Sequence, residues 1–366
     1  MKKRLLTSFA VIALTVSAAV AGVKWHSADT LPLLGKCVDP ASTSLRYQRI
    51  PDSLQSQVKR PYLFTLGKNS AGMALRFRSD SPSIHARWKS VFSNKMNHMT
   101  LTGTRGLDLY AMQPDSTWTF VQSARPEMDK ADTETCVITN MEPVMREYML
   151  YLSLYDGVDS LYIGTDDGYG LQQPAVSLPA AGNPIVFYGT SILQGGCASR
   201  PGMAHTNILS RRLNREAVNL GFSGNGQLDL EIARLIAATP DPSLVVLDFV
   251  PNVNYEQIDT LMVPFVDIIR QSHPTVPILV LEDPDYPTKR FDTTVKQPCD
   301  NRRRLLREKF DMLQARYGNM YYQPTVPGML GNDAEQSVDG IHFTDVGFLR
   351  YSDALQPIIQ SILSTQ

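Results

Sequence analysis

The chain has 366 residues, 43% of them hydrophobic and 19% charged, and its net charge is −1 at neutral pH. This composition can bury a sizeable core, and the length favours two domains. Nucleic-acid-binding proteins carry basic clusters that the chain lacks. The clearest basic run, 302–304, lies on a predicted helix and is interpreted as a solvated face, so we predict no nucleic-acid partner.

Residues 1–21 are typical of a secretory signal peptide. Three basic residues at 2–4 precede an apolar run over 5–16, and an Ala-Val-Ala cleavage site ends at Ala21. The alternative is a membrane anchor, although the apolar run is short for a bilayer span. Gly22 follows the site in place of a cysteine, which argues against lipid attachment. We therefore predict export to the periplasm or the exterior, without stable membrane insertion.

Four cysteines occur, and an exported chain permits disulfides. Pairing Cys37 with Cys136 and Cys197 with Cys299 would keep each bridge within a predicted domain, but the sequence does not fix the connectivity. A free, buried thiol at Cys197 is an equally good interpretation. No C-x-x-C or His/Cys spacing indicates a metal site, so we expect no metal and no cofactor.

The first predicted domain, 24–178, has a β pattern. Short apolar or alternating runs recur there between turn residues, over 62–66, 73–77, 84–88, 118–121, 146–152 and 160–164. Several short strands of this kind predict a jelly-roll-like β-sandwich.

After a linker composition over 172–184, the second predicted domain, 180–366, alternates strands with helices. The predicted strands are 185–188, 217–220, 244–247, 278–281 and 320–322. The predicted helices are 204–214, 228–238, 256–272, 299–316 and 345–363. This alternation predicts a parallel sheet covered on both faces, with its site at the carboxyl ends of the strands.

Three residues form a candidate triad in the chain order Ser, Asp, His. Ser191 closely follows the first strand of the second domain, and Asp339 stands three residues before His342. A histidine can take the serine proton while an aspartate orients its ring. Taken singly, Ser191 and Asp339 are more typical of cap or turn residues. His342 alone is more typical of a partly buried histidine whose hydrogen bonds are satisfied within the protein. Their predicted position at one end of the sheet favours the triad.

Two loops after predicted strands offer donors for an oxyanion. In 219–226 a glycine lets a backbone N–H approach a substrate oxygen, and in 248–254 an asparagine amide can donate. The glycine loop lacks the Lys-Ser/Thr ending of a phosphate-binding loop. The elbow G-x-S-x-G of α/β-hydrolases is also absent, because Leu193 stands where its last glycine belongs.

Together these segments resemble the four sequence blocks of the SGNH/GDSL hydrolase family. The residues that match the blocks are Ser191, Gly224, Asn252, Asp339 and His342. The resemblance covers roughly 180–366 and implies a three-layer α/β/α domain with a parallel five-stranded sheet. It also implies an oxyanion hole formed by the backbone N–H groups of Ser191 and Gly224 and the amide of Asn252.

The blocks depart from the family pattern at two points. Thr190 stands where Asp is usual, and the third block reads Val-Pro-Asn-Val in place of Gly-x-Asn-Asp, so Asn254 is the fallback for Asn252. The run 194–202 resembles a bacterial subfamily in which a β-rich N-terminal domain carries a Gly-x-Asp-Leu-Tyr motif. Here that motif is 106–110.

These observations predict an exported serine esterase that acts on a small-molecule or glycan ester. Acetyl groups on carbohydrate are the expected substrate, an expectation that comes from the resemblance and the predicted export. Two alternatives stay open: a lipid or thioester acylhydrolase with the same triad, and a non-catalytic glycan-binding protein. Arg200 and Asn254 are candidate substrate contacts, and a loop salt bridge is the other interpretation of Arg200. The sequence does not reveal the oligomeric state.

Overall fold

The structure is a computed structural model that describes residues 22–177, 179–325 and 329–365. The predicted signal segment, 1–21, lies outside these residues. Within them, no helix is both long enough and apolar enough to span a bilayer.

The N-terminal region forms two antiparallel sheets packed face to face. Its strands are β1 (Val23–Ser27), β2 (Leu33–Leu34), β3 (Ala74–Ser79), β4 (Ile84–Ser90), β5 (Leu107–Met112), β6 (Trp118–Ala124), β7 (Asp132–Ile138), β8 (Arg146–Tyr151) and β9 (Val158–Asp166). The short helices α1 (Pro61–Gly67) and α2 (Leu101–Arg105) lie in the connections. The sheet orders are β1-β9-β4-β7 and β2-β3-β8-β5-β6. Alternate residues of these strands fill one shared core, as the predicted β domain requires.

The C-terminal region is a parallel five-stranded sheet between two helical layers. Its strands are β10 (Ala180–Gly189), β11 (Arg215–Gly221), β12 (Leu244–Asp248), β13 (Ile278–Leu281) and β14 (Met320–Gln323), in the order β11-β10-β12-β13-β14. Its helices are α3 (Ser191–Gln194), α4 (His205–Leu213), α5 (Leu230–Ala237), α6 (Tyr255–Ser272), α7 (Thr293–Tyr317) and α8 (Asp345–Ser364). This architecture confirms the predicted α/β/α fold.

Alternation along β10 separates the two layers of the core. Val186 and Tyr188 pack with α5, α6 and α7, whereas Ile185 and Phe187 pack with α4 and α8. The strand order reverses between β10 and β12, and open α/β sheets bind ligands at the carboxyl ends of strands beside such a reversal. Ser191 comes two residues after β10 and therefore lies at this position.

The segment 62–66 is a helix, so the prediction of a strand there was wrong. Pro61 begins α1, where its fixed φ suits the first turn and its missing N–H leaves no donor unpaired. Leu63, Phe64 and Leu66 pack into the core of the C-terminal domain rather than into the sandwich. A short apolar run does not by itself distinguish a strand from a helix.

Helix α7 begins at Thr293 rather than at the predicted residue 299. Asp292 caps it by accepting a hydrogen bond from Thr294 N at 2.8 Å, and Pro298 lies inside the helix. The basic run on this helix is also not wholly a solvated face. Arg302 pairs at 3.1 Å with Asp283, whose side chain is fully buried, and only the third arginine of the run is exposed.

All four cysteines are free thiols, so the suggested disulfides are not formed. Cys136 is exposed on β7, whereas Cys197 and Cys299 are buried and Cys37 is half-buried. The alternative interpretation of Cys197 as a free, buried thiol is therefore the one that the structure supports.

Candidate active site

The loops after β10, β11 and β12 form one continuous site. Phe222 N donates to Gly189 O at 3.0 Å, and Gly226 N donates to Asn252 Oδ1 at 3.3 Å. Residue 226 must be glycine, because a Cβ there would lie 2.1 Å from the carbonyl oxygen of Gly189. These contacts hold the glycine loop against both neighbouring loops.

Ser191 is the first residue of α3. The side chain of Thr190 caps this helix by accepting from Ile192 N at 3.3 Å, a role that the aspartate usual in the family could also fill. The carbonyl of Ser191 accepts from Gly196 N at 2.8 Å and from the Tyr155 hydroxyl at 3.1 Å. Ser191 is only 7% exposed, so this turn holds its hydroxyl in a defined place.

His342 links Ser191 to Asp339. Its Nε2 lies 2.8 Å from Ser191 Oγ, and its Nδ1 lies 2.7 Å from Asp339 Oδ2. Because an ionised carboxylate only accepts, Nδ1 carries the proton and Nε2 presents a lone pair to the serine. The structure thus brings the three predicted triad residues together, at the distances that a nucleophile, a base and an orienting acid would need.

Asp339 also fixes the backbone that carries His342. Its Oδ1 accepts from the N–H groups of Ile341 at 3.0 Å and His342 at 2.8 Å. Gly340, at φ +89°, allows this tight turn, and its carbonyl accepts from Thr288 Oγ1 at 3.0 Å. Partial burial acts to raise the pKa of Asp339, but hydrogen bonds from the His342 ring and from both N–H groups lower it below its ordinary value. The carboxylate is therefore ionised at neutral pH.

The three predicted oxyanion donors lie on these loops. Ser191 is at the first position of α3, where a helix N–H has no partner within the helix. Among the described residues, none accepts a hydrogen bond from Gly224 N. Asn252 uses its Oδ1 to accept from Gly226, and its Nδ2 makes no hydrogen bond to another described residue. Within the described part of the chain, none of these three donors is used in another hydrogen bond.

Asn254, the fallback for Asn252, caps helix α6. Its Oδ1 accepts from Gln257 N at 2.8 Å, while its own N–H donates to Gln257 Oε1 at 2.9 Å. This capping box satisfies two donors at the start of the helix. The structure therefore places Asn252, and not Asn254, against the glycine loop.

Replacing Asn252 by alanine is expected to lower kcat about 10²–10³-fold with little change in stability, because one oxyanion donor is lost. The matched variant Asn254→Ala should keep kcat but lower the free energy of unfolding by about 0.5–2 kcal/mol, because a helix cap is lost. Steady-state kinetics and urea unfolding of both variants check this. A large loss of kcat in Asn254→Ala, with kcat unchanged in Asn252→Ala, would identify Asn254 as the donor.

Arg200 connects the site to the N-terminal domain. Its Nη1 donates to Asp108 Oδ2 at 2.8 Å and to the Tyr110 hydroxyl at 2.7 Å, both in the motif 106–110. Asp108 is fully buried and also accepts from Gly202 N at 2.7 Å. This favours the salt-bridge interpretation of Arg200 over the substrate contact. The motif holds in place the loop that follows Ser191.

Removing Asp108 is expected to destabilise the protein strongly. In Asp108→Ala, the N–H of Gly202 loses its partner and the guanidinium of Arg200 loses its carboxylate while it keeps the Tyr110 hydroxyl; breaking a buried pair in this way costs about 3–5 kcal/mol. Asp129→Ala, which removes an exposed partner of Lys95 in the same domain, should change stability far less. Urea unfolding measures the stability of both variants. A loss of stability in Asp108→Ala as small as that in Asp129→Ala would contradict the structural role assigned to Asp108.

Asp248 ends β12 beneath the site and is buried. The Tyr351 hydroxyl donates to its Oδ2 at 3.3 Å, and within the described part of the chain no lysine or arginine pairs with it. Burial raises the pKa of Asp248 to about 7; the bond from Tyr351 lowers it, and the charge of Asp283 raises it. At neutral pH this carboxyl is therefore partly protonated.

The pH dependence of stability should contain a contribution from Asp248. Between about pH 4 and 7 the folded protein binds a proton that the unfolded chain has released, so this contribution is complete below pH 4 and lost as the pH rises through 7. Asp248→Asn, which stays neutral, should melt at a higher temperature than wild type at pH 8, with a smaller difference at pH 5. A melting-temperature difference that does not change with pH would contradict this.

Two further side chains lie beside His342: His98, for which the sequence offers no signal, and Cys197, which the sequence predicts only as a free thiol or a disulfide partner. The ring centroid of His98, from the N-terminal domain, is 5.7 Å from that of His342. Cys197, 8% exposed, lies in the loop after α3, and burial together with the charge of Asp339 raises its pKa to about 12. No spacing rule predicts this group, because it depends on how two domains pack.

Two family models match the chain. The GDSL-like lipase/acylhydrolase family matches residues 182–360, and the GxDLY model, described as the N-terminus of SGNH-hydrolase-type esterases, matches residues 23–171. A comparison with curated proteins found no match.

A three-layer α/β/α domain with serine, histidine and aspartate at the carboxyl ends of its strands defines a class of hydrolases. The chain is similar to the solved structure of a GDSL-like lipase from Bacteroides ovatus ATCC 8483, with 32% sequence identity and a TM-score of 0.87, over 94% of this chain and 98% of that one. The chain belongs to the GDSL-like lipase/acylhydrolase family, that is, to the SGNH/GDSL hydrolases.

Two more distant structures share the fold. One is the salicylyl-acyltransferase SsfX3 from a tetracycline biosynthetic pathway, at 18% identity and a TM-score of 0.73, over 93% of this chain and 97% of that one. The other is a family two carbohydrate esterase from Clostridium thermocellum in complex with cellohexaose, at 13% identity and a TM-score of 0.56, over 81% of this chain and 94% of that one.

Proposed function

We propose that the protein is an exported serine esterase that removes small acyl groups, acetyl foremost, from carbohydrate. The observation that carries the proposal is the hydrogen-bonded chain through His342, at 2.7 Å to Asp339 and 2.8 Å to Ser191. A serine hydroxyl is a weak nucleophile until a base takes its proton, and His342 supplies that base.

In the first half of the reaction, His342 Nε2 takes the proton of Ser191 Oγ as this oxygen attacks the ester carbonyl carbon. The N–H groups of Ser191 and Gly224 and the amide of Asn252 stabilise the negative charge on the carbonyl oxygen. When the intermediate collapses, His342 gives its proton to the leaving sugar oxygen, and the acyl group stays on Ser191. Asp339 stabilises the imidazolium while it exists.

In the second half, His342 deprotonates a water molecule, which attacks the acyl carbon of the ester on Ser191. The same donors hold the second oxyanion, and its collapse returns the proton to Ser191 and releases the carboxylic acid. The ionised state of Asp339 at neutral pH supports both halves, because the imidazolium forms twice per turnover.

Two points support carbohydrate as the acyl carrier. The signal-like segment 1–21 would send the enzyme to a compartment where polysaccharides are degraded or remodelled. The Clostridium thermocellum carbohydrate esterase in complex with cellohexaose has the same fold, so this architecture is compatible with a glycan ester.

A cavity of about 360 Å³ favours a second candidate, an acylhydrolase for longer, lipid-like or thioester substrates. Pro251 and Ile341 line it, and these residues directly precede Asn252 and His342 in the sequence. Val295 of α7 adds to its apolar wall. A cavity of this kind beside the reaction centre could hold an acyl chain longer than acetyl.

Turnover of p-nitrophenyl acetate and octanoate, together with acetate release from an acetylated polysaccharide, tests the proposal. Preference for acetyl and release of acetate from the polysaccharide, both lost in Ser191→Ala, are the expected results. Preference for octanoyl that falls selectively in Val295→Phe would favour the second candidate. Equal turnover by wild type and Ser191→Ala would contradict both.

A further inference from the structure

Four side chains beside the reaction centre offer donor atoms that suit a metal ion. They belong to His98, Cys197, Asp339 and His342, and one ligand atom of each lies within 4.8 Å of all the others. His98 and Cys197 have no part in the proposed hydrolysis. A serine esterase needs neither a second histidine nor a thiol here, so their convergence calls for a separate explanation.

His98 reaches the site because its loop is anchored on both sides. Before it, Asn94 N donates to Asp156 Oδ2 at 2.8 Å. After it, Thr100 Oγ1 donates to Ser199 O at 2.5 Å, which ties the loop to the C-terminal domain close to the thiol. The position of His98 is therefore built into the packing of the two domains.

The donor set suits Zn²⁺. Two imidazoles, a carboxylate and a cysteine thiol that releases its proton on binding are ligands that Zn²⁺ accepts, whereas Ca²⁺ and Mg²⁺ prefer oxygen alone. In a tetrahedral zinc site with bonds of about 2.0–2.3 Å, ligand atoms lie about 3.3–3.8 Å apart. Ligand atoms at the observed upper limit of 4.8 Å would need to approach one another by about 1–1.5 Å. A half-buried loop side chain such as His98 can make such a movement by rotating.

We propose that these four side chains bind Zn²⁺ and that the bound ion stops hydrolysis. Both ring nitrogens of His342 already serve the triad, Nδ1 with Asp339 and Nε2 with Ser191. Coordination of either nitrogen breaks one of these hydrogen bonds, and coordination by Asp339 removes the orienting carboxylate. The inhibition rests on the proposed function, whereas the binding does not.

Binding is tested with Co²⁺ added to the full-length protein, because a cobalt–thiolate bond adds charge-transfer absorption in the near ultraviolet. We expect this band at one Co²⁺ per chain and its loss on adding Zn²⁺. Cys197→Ala should lack the band. His98→Ala should bind Co²⁺ at least about tenfold more weakly, because even the loss of a residue that only hydrogen-bonds to a metal ligand weakens metal affinity about tenfold or more. Ser191→Ala should keep the band. No thiolate band in wild type would overturn the proposal.

Inhibition is tested with Zn²⁺ in the ester assay, each protein being compared with its own metal-free rate. Wild type should be inhibited and EDTA should restore its activity, while His98→Ala and Cys197→Ala should need at least about tenfold more Zn²⁺. Cys197→Gly is a second variant without the thiol. Glycine should be tolerated at this position because the backbone has φ of +72° there. Equal inhibition of wild type and all three variants would overturn the proposal. Absence of any esterase activity would contradict the proposed function but leave the cobalt test valid.

Discussion

Replacing Ser191 by alanine is expected to lower kcat on acetyl esters by about 10⁴–10⁶-fold while leaving the fold intact. The variant lacks the oxygen that His342 Nε2 contacts at 2.8 Å, and no acyl-enzyme can form. The oxyanion donors remain, so a small residual rate above the uncatalysed reaction is expected. Steady-state kinetics with p-nitrophenyl acetate measure the loss.

Ser352→Ala is the matched control. Ser352 is also buried, and its Oγ donates to Phe348 O at 2.7 Å within α8, away from the reaction centre. This variant should keep kcat within about twofold, since it touches no group in the proposed mechanism. A comparable loss of activity in both variants would mean that the effect of Ser191→Ala is structural.

Replacing Asp339 by asparagine is expected to lower kcat by about 10⁴-fold. The amide oxygen can still accept from the backbone N–H groups of Ile341 and His342, so the turn is kept. An amide cannot stabilise the imidazolium as a carboxylate does, and its N–H₂ group favours the wrong tautomer of His342. Kinetics above pH 7 measure the effect.

Asp333→Asn is the control for this variant. Asp333 is exposed, pairs with Arg350 at 2.7 Å and precedes the triad segment by a few residues. Its replacement should leave kcat unchanged, because it removes only an exposed surface pair that touches no group of the proposed mechanism. An Asp339→Asn variant with nearly full activity would show that His342 is oriented by another group.

The sequence predicts the C-terminal domain well because its signals are local. Buried parallel strands are continuous apolar runs, and β13 matches its predicted bounds. Asp-x-x-His is local too: one carboxylate binds both the ring and the N–H of His342, so a four-residue motif suffices to define the pair. Ser191 follows from its position after the first strand of a parallel sheet.

Features that depend on packing between distant segments could not be predicted. Helix α1 is a short apolar run that packs into the core of the C-terminal domain. The spacing of its apolar residues does not reveal this partner. The motif 106–110 gave no hint that Asp108 would bind the Arg200 loop. The same holds for His98, which is 244 residues away from its neighbour His342 in the chain.

The central claim is that Ser191 is the nucleophile, and the most direct test is covalent labelling. The protein is incubated with a fluorophosphonate, which reacts with activated serines, and the adduct is located by peptide mass spectrometry. We predict one adduct per chain, on Ser191, with loss of esterase activity in proportion to labelling. An adduct on a different serine, or full labelling at Ser191 with esterase activity retained, would contradict the claim.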